Sequence, residues 1–319
     1  MRTALALALA ISMSAAATAA WAEDTKAPAP PAEAAPAAAP APAAAPAPTP
    51  APVQAKCTNP NALGVERVVQ IDTTGGPGFG FQNFKAYDFL RDHEVVLTFD
   101  DGPWPGNTER VLKALADQCT KAMFFPIGEH AGWHPEILKQ DLAAGMTVGS
   151  HTWSHKDLTK LSFDVAKAEI EKGIAAVSIA SGNKPIAPFF RFPALRMPPE
   201  IVKYLATRNI AIMSTDWDTF DFKMRKPEQV VRSVQERLTQ HGKGIILMHD
   251  FQHATSEAVP QILSWLKQNN FKIVQVVGKD PLQPLPEYVK IVDKEMGGGL
   301  EEARPMSSVI KTIGGGTSN

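Results

Sequence analysis

The sequence predicts an α/β fold, a distorted (β/α)7 barrel of the TIM-like kind, for the central part of a 319-residue chain. From residue 94 onward, short apolar runs alternate with stretches of helical period, which is typical of a parallel sheet surrounded by helices. Ionisable residues follow five of these runs, at the strand ends where such folds bind ligands. An open doubly wound sheet is the alternative, but no G-x-G-x-x-G motif follows the first strand.

The predicted strands are short and apolar, and the predicted helices are amphipathic. The strands are predicted at residues 95–99, 122–127, 147–150, 188–192, 211–214, 245–248 and 272–277. The helices are predicted at residues 107–118, 134–145, 162–178, 198–209, 227–242 and 255–270. Asn107, Ser162 and Pro227 supply helix-start chemistry for three of them.

The two ends of the chain differ in composition from this predicted body. Residues 1–22 are predicted to be a secretory signal peptide, because Arg2 precedes an apolar run that ends in an Ala-Trp-Ala cleavage site. An uncut membrane anchor is less consistent with so short and Ala-rich a run. Residues 23–55 predict an extended linker, because residues 27–52 within them are almost all Ala and Pro, and residues 291–319 predict a disordered tail. We therefore expect a secreted, periplasmic protein.

The remaining residues suffice for one large domain, predicted at residues 86–290, with residues 56–85 packed on it as an N-terminal extension. The 32 Lys and Arg nearly balance the 33 Asp and Glu, so we expect no nucleic-acid partner. After signal cleavage we expect no stable membrane span. Cys57 and Cys119 have no neighbouring His and no CxxC spacing, which argues against a thiol nucleophile or a zinc knuckle. In an oxidising compartment we expect a disulfide, with two free thiols as the alternative.

The residues after the first and third strands form a pattern suited to metal chemistry. Asp100 and Asp101 end an apolar strand side by side, where two like charges are costly unless a cation compensates them. His151 and His155 have the i, i+4 spacing that, on one helical turn, brings two imidazoles to one metal ion. Two histidines and one carboxylate are a common catalytic zinc set. One aspartate is therefore expected to bind the metal and the other to accept a proton from water.

Three further strand ends supply residues for the same site. Arg191 emerges from an apolar strand and is expected to orient the base aspartate, with a purely structural ion pair as the alternative. His249 follows the sixth strand and could protonate a leaving group across from the base. Asp218 or Asp221, after the fifth strand, could hold that imidazole in its protonated form.

In chain order, the segments TFDDGP, SHTWSH, RFP, DTFD and ILMHD resemble the five motifs of the polysaccharide deacetylases, carbohydrate esterase family four. The resemblance covers about residues 94–277. It implies a distorted barrel that uses a divalent metal, often zinc, to remove acetyl groups from chitin-like glycans, peptidoglycan or xylan. The implied roles are Asp100 as general base, Asp101, His151 and His155 as metal ligands, Arg191 as the brace of Asp100, His249 as general acid, and Asp221 as its partner.

The resemblance also implies the walls of the site. Leu247 is expected to line the acetyl pocket. The arginine motif commonly continues as Pro-Tyr, whereas here Ala194 follows Pro193, so its backbone N–H is the expected oxyanion donor. The DTFD motif usually ends in Trp, and Phe222 stands in its place. From their position after the fifth strand, independently of the resemblance, we expect Trp217 and Phe220 to stack on a sugar ring.

The sequence therefore predicts a metal-dependent hydrolase that removes N-acetyl groups from a GlcNAc-containing glycan, either chitooligosaccharide or peptidoglycan. An O-deacetylase acting on acetylated xylan or exopolysaccharide is the alternative. A non-catalytic glycan-binding protein agrees less well with a complete metal set, and a glycosidase agrees less well with adjacent aspartates beside two histidines. No GxSxG elbow is present, in line with hydrolysis without a covalent intermediate. His130 and His134 are expected at the surface, and Trp133 in the core.

Overall fold

The computed structural model describes Cys57 and residues 59–297. The predicted signal peptide, the predicted linker and residues 298–319 of the predicted tail lie outside the described residues. The strands are β1 (Arg67–Ile71), β2 (Gly78–Phe79), β3 (Glu94–Asp100), β4 (Met123–Phe125), β5 (Thr147–Val148), β6 (Phe189–Phe190), β7 (Ala211–Met213), β8 (Trp217–Asp218), β9 (Gly244–His249) and β10 (Lys272–Gly278). The helices are α1 (Asn107–Asp117), α2 (Gly128–Trp133), α3 (Pro135–Ala143), α4 (Phe163–Ala180), α5 (Pro199–Thr207), α6 (Pro227–His241), α7 (His253–Gln268) and α8 (Pro286–Glu295).

Strand β3 is the centre of the larger sheet. It pairs in parallel with β9 over most of its length, with β4 at its carboxyl end and with β10 at its amino end. The sheet continues from β10 to β1, from β4 to β5 and from β9 to β8. A smaller parallel sheet contains β2, β7 and β6. It is connected to the larger sheet by a bridge between Ser150 and Phe190 and by the short run of chain from β7 into β8.

The strands separate two hydrophobic clusters, because successive side chains point to opposite faces. Val95, Leu97 and Phe99 of β3 pack with helix residues in the outer cluster. Val96 belongs to an inner cluster built largely from strand residues, among them Met123, Phe125, Phe189, Met213, Ile245 and Val274. An interior lined by strands and an exterior covered by helices agree with the predicted α/β barrel-like fold, which is confirmed.

All seven predicted strands are present, as β3–β7, β9 and β10, and the six predicted helices are α1 and α3–α7. The segment before residue 86 adds β1 and β2, which pair with β10 and β7, and Cys57 forms a disulfide with Cys119. Helix α8 continues to Glu295, so the tail predicted from residue 291 begins within a helix, which corrects that boundary. Among the described residues, no helix is both long enough and apolar enough to cross a membrane.

Candidate active site

The inner faces of three strands converge on one point at their carboxyl ends. Asp100 lies on the same face of β3 as Val96, because side chains alternate along a strand. Arg191, two residues beyond Phe189, continues the inner face of β6 in the same way. His249 is the register partner of Asp100 across the β3–β9 ladder. The strand period therefore directs all three polar groups into the same space.

Arg191 holds Asp100 in a fixed position. Its guanidinium is fully buried and donates hydrogen bonds to Asp100 Oδ1 and Thr98 Oγ1, both at 2.7 Å. It also donates to the carbonyl oxygens of Met213 and Ser214, each at 2.9 Å. Burial raises the pKa of Asp100 to about 6, although the positive charge of Arg191 acts in the opposite direction. Asp100 is thus an oriented carboxylate with the basicity of a general base near neutral pH.

Asp101, His151 and His155 form a candidate metal centre, since each presents one ligand atom and these atoms lie within 4.8 Å of one another. Asp101 Oδ1 is 3.4 Å from His151 Nε2 and 3.5 Å from His155 Nε2. The same carboxylate oxygen is buried and has no hydrogen-bond partner, which is costly unless a cation binds it. One oxygen and two imidazole nitrogens are a donor set common in catalytic zinc sites. The residues therefore fit a divalent metal ion.

The two histidines are positioned by a loop, which corrects the expectation of a helical turn. Residues 151–155 contain no helix, and both Thr152 and His155 have positive φ angles, of 74° and 56°. His151 Nδ1 lies 2.7 Å from the carbonyl oxygen of Arg191, which fixes its tautomer and leaves Nε2 for the metal. Burial, followed by the neighbouring His155, holds the pKa of His151 well below its usual value. His151 is therefore neutral, as a metal ligand must be.

Asp221 is the partner of His249, and Asp218 is not. Asp221 Oδ1 is 2.6 Å from His249 Nδ1, while its Oδ2 accepts from the His249 backbone N–H at 2.7 Å and from Thr255 Oγ1 at 2.5 Å. Asp218 instead accepts from the backbone N–H of Phe220. Burial alone would lower the pKa of His249, but the charge and hydrogen bond of Asp221, with Asp101 and Asp100, raise it to about 10. His249 is therefore protonated at neutral pH.

The other three predicted site residues lie in different settings. Leu247 is buried in β9, two residues before His249. Ala194 is exposed in a short 3-10 turn three residues after Arg191, with a φ angle of 51°. Trp217 is not brought into this group.

The Trp217 ring faces the opposite end of β9, which corrects its assignment to the sugar-binding wall. Its indole stacks on His241 at 3.5 Å, and Nε1 donates to the Lys243 carbonyl oxygen at 2.9 Å. Lys243 precedes His249 by six residues, roughly 20 Å along an extended strand. The exposed aromatic residue beside His249 is Phe222, with its ring 5.5 Å from the imidazole. Phe220, also expected to stack on a sugar, is exposed and contacts Phe222.

Sequence reasoning missed a hydrogen bond to the backbone of Asp101, one of the candidate metal ligands. His130 Nδ1 donates to the Asp101 carbonyl oxygen at 2.6 Å, so His130 is a structural neighbour of the site and not simply a surface residue. Trp104 and Trp133 pack around the His130 ring, and Trp133 is 59% exposed, which corrects its assignment to the core. The three residues follow the carboxyl ends of β3 and β4, so the strand-end rule that identified the catalytic residues could have identified them also.

A parallel-stranded α/β fold with buried ionisable residues and a candidate metal centre at its strand ends is typical of hydrolytic enzymes. The sequence profile described as "Polysaccharide deacetylase" matches residues 90–212, and the chain belongs to this family. That match includes Asp100, the candidate metal ligands and Arg191. It ends before Asp221 and His249, whose pairing therefore rests on the contact between Asp221 Oδ1 and His249 Nδ1.

Three known proteins illustrate the similarity. The peptidoglycan-N-acetylglucosamine deacetylase PgdA of Listeria monocytogenes is 32% identical over 207 residues, 63% of this chain and 42% of PgdA. Chitin deacetylase 1 of Saccharomyces cerevisiae is 31% identical over 193 residues, 58% of this chain and 61% of that protein. The structure of the Bdellovibrio bacteriovorus peptidoglycan deacetylase Bd3279 aligns with a TM-score of 0.61 and 31% identity, covering 67% of this chain and 59% of that one. The chain thus spans less than two thirds of each.

Proposed function

We propose that the protein is a metal-dependent hydrolase that removes N-acetyl groups from a GlcNAc-containing glycan, with zinc as its metal. The observation that carries this proposal is the set of Asp101, His151 and His155, with its unpartnered buried oxygen, between the oriented Asp100 carboxylate and the protonated His249. A base on one side and an acid on the other side of a metal centre suit hydrolysis of an amide by water.

Asp100 is the general base. Its carboxylate accepts the proton of the attacking water, and Arg191 keeps one oxygen engaged so that the other faces the metal centre. Asp100 Oδ2 lies 3.9 Å from His151 Nε2, at the edge of the ligand set. A divalent ion held by the three ligands supplies Lewis acidity, which lowers the pKa of water and polarises a carbonyl.

His249 is the general acid that protonates the departing amine. Asp221 favours its charged form and fixes the ring so that Nε2, 3.9 Å from Asp101 Oδ2, faces the metal centre. The Ala194 N–H is proposed to donate to the developing oxyanion, an interaction that is worth about 2.7–4 kcal/mol in a comparable site. Leu247 is proposed to contact the acetyl methyl group.

Two of the relatives support the proposed substrate class, because their names specify peptidoglycan N-acetylglucosamine and chitin. Both polymers contain N-acetylglucosamine, so a GlcNAc glycan is the substrate that they share. The predicted signal peptide supports a secreted, periplasmic enzyme, and the predicted Ala/Pro linker supports a spacer that precedes its domain.

Acetate release tests this proposal. The full chain without its signal peptide is treated with a chelator, reloaded with Zn²⁺, and incubated with chitooligosaccharides, peptidoglycan and acetylxylan. We expect acetate from one of the two GlcNAc glycans, its loss on chelation and its recovery with Zn²⁺. Release from acetylxylan alone, or undiminished release after complete removal of metal, contradicts the proposal.

A further inference from the structure

Exposed aromatic side chains are concentrated around the candidate active site. Among the described residues, six aromatic side chains are more than a third exposed: Tyr87, Trp104, Trp133, Phe163, Phe220 and Phe222. Phe222 contacts the His249 ring and Phe220 contacts Phe222. Trp104 and Trp133 contact His130, which is bonded to Asp101. Four of the six therefore flank the site, and a clustered apolar surface of this kind commonly marks a binding surface.

Trp104 and Trp133, together called the Trp platform, are held in place by their neighbours. The Trp104 ring lies 5.4 Å from the His130 ring, edge to face, and the Trp133 ring lies 5.0 Å from the same imidazole. Trp104 also meets His134 edge to face at 6.0 Å. Since the His130 imidazole is itself fixed by its bond to the Asp101 carbonyl, little ordering of these side chains is needed when a ligand binds.

The strand order places the Trp platform on one side of the reacting centre and the phenylalanines on the other. The neighbouring strands run β8, β9, β3, β4. Phe222 follows β8, and the Trp platform follows β3 and β4, so Asp100 and Asp101 at the end of β3 lie between them. A sugar whose acetamide lies at the metal centre has Phe222 and His249 on one side and the Trp platform on the other.

The platform surface suits a carbohydrate. Trp104 is 39% exposed and Trp133 is 59% exposed, so much of two indole surfaces faces solvent. A pyranose ring presents its C–H groups on flat faces and its hydroxyls at the edge, which matches an indole that has an apolar face and a polar N–H. Burying such apolar surface against a sugar ring is favourable. Because the platform adjoins the candidate active site, the expected ligand is a neighbouring sugar unit of the same glycan.

We propose that Trp104 and Trp133 form a separate subsite for a hexopyranose unit adjacent to the one that is deacetylated, on the side of the metal centre away from Phe222. This inference rests on the proposed glycan substrate. It makes the protein an enzyme that favours longer glycan strands, because a disaccharide occupies fewer subsites than a pentasaccharide.

The test compares glycan oligomers of different lengths as substrates. In the zinc-loaded full chain, kcat/KM for acetate release is measured on N-acetylglucosamine oligomers from dimer to pentamer. The double variant Trp104→Ala/Trp133→Ala is expected to lose about tenfold on the pentamer, and to keep its activity on the shortest accepted oligomer within about twofold. The matched control Tyr87→Ala/Phe163→Ala removes the two exposed aromatic rings that do not flank the site, and it is expected to change neither value. An equal loss at all lengths, or no loss at any, overturns the subsite.

Binding provides a readout that does not need turnover. In an Asp100→Asn background, isothermal titration with the pentamer is expected to show affinity about tenfold weaker when the Trp platform is removed. If the wild type releases no acetate from any glycan but this platform-dependent binding persists, the catalytic proposal fails and the subsite stands. If acetate release depends on metal but pentamer affinity is the same with and without the two indoles, the subsite fails and the catalytic proposal stands.

Discussion

Replacing Arg191 with Met should destabilise the protein strongly, because it removes one partner of a buried ion pair. The guanidinium is fully buried, and its four hydrogen bonds go to Asp100, Thr98 and two backbone carbonyls. In Arg191→Met the Asp100 carboxylate remains buried without its counter-charge. Methionine fills much of the space, so the loss is chiefly electrostatic rather than a cavity.

Breaking a buried pair in this way costs about 3–5 kcal/mol. For a domain of this size, each kcal/mol corresponds to roughly 2–4 °C in Tm, so the expected fall is about 6–20 °C. The measurement is thermal unfolding of metal-free protein, followed by circular dichroism. Lys113→Met is the control, because Lys113 and its partner Asp117 are largely exposed, and it should shift Tm by at most ~2 °C.

The loss of Tm in Arg191→Met, relative to the wild type, should become larger as the pH rises. Burial already raises the pKa of Asp100 from 3.8 to about 6 with Arg191 present, so its ionisation costs stability as pH rises through this range. Without Arg191 that pKa is higher still. The variant is therefore expected to be most destabilised above neutral pH, and to approach the wild type below pH 6, where Asp100 is protonated in the variant. A Tm within 2 °C of wild type at pH 8, or a deficit that grows toward acid pH, refutes this reasoning.

Two other substitutions test the acid and the metal centre. Asp221→Asn removes the charge that raises the pKa of His249, so the alkaline limb of the kcat/KM profile against pH should move to lower pH by more than about one unit. The control Asp218→Asn should move this limb much less. If the alkaline limb of Asp221→Asn stays where it is in the wild type, the pairing of Asp221 with His249 is refuted. His155→Ala should lower zinc content measured by plasma emission spectrometry, while the exposed His253→Ala should not; equal zinc in both variants refutes the ligand assignment.

Residues whose position depends on strand periodicity could be predicted from the sequence. Asp100 and His249 end apolar strands and Arg191 directly follows one, so the alternation of side chains determines which face they occupy. Because the carboxyl ends of parallel strands lie at one edge of the sheet, the positions of the strands in the sequence predict that these three side chains lie close together. Assigning Asp100 as base and Asp101 as ligand required the family resemblance, since adjacent residues in sequence look alike.

Residues whose position depends on loop conformation could not be predicted in this way. His155 reaches the candidate metal centre through a loop in which Thr152 and His155 have positive φ angles. A positive φ is rare for a β-branched residue such as Thr152, so its sequence does not predict this loop conformation. Trp217 follows the fifth strand like a site residue, but its ring turns back to stack on His241. Helix α2 has only six residues, too few for a periodic pattern to show that Trp133 faces solvent.

The most direct test of the account is Asp100→Asn, which separates the role of the two adjacent aspartates. The amide keeps the size of the side chain and leaves Asp101, His151 and His155 intact, so the variant should bind as much zinc as the wild type. Its kcat for acetate release should fall by about 10²–10⁴-fold, because the amide cannot accept the proton from water. Full zinc content with undiminished turnover, on a glycan that the wild type deacetylates, contradicts the assignment of Asp100 as the base.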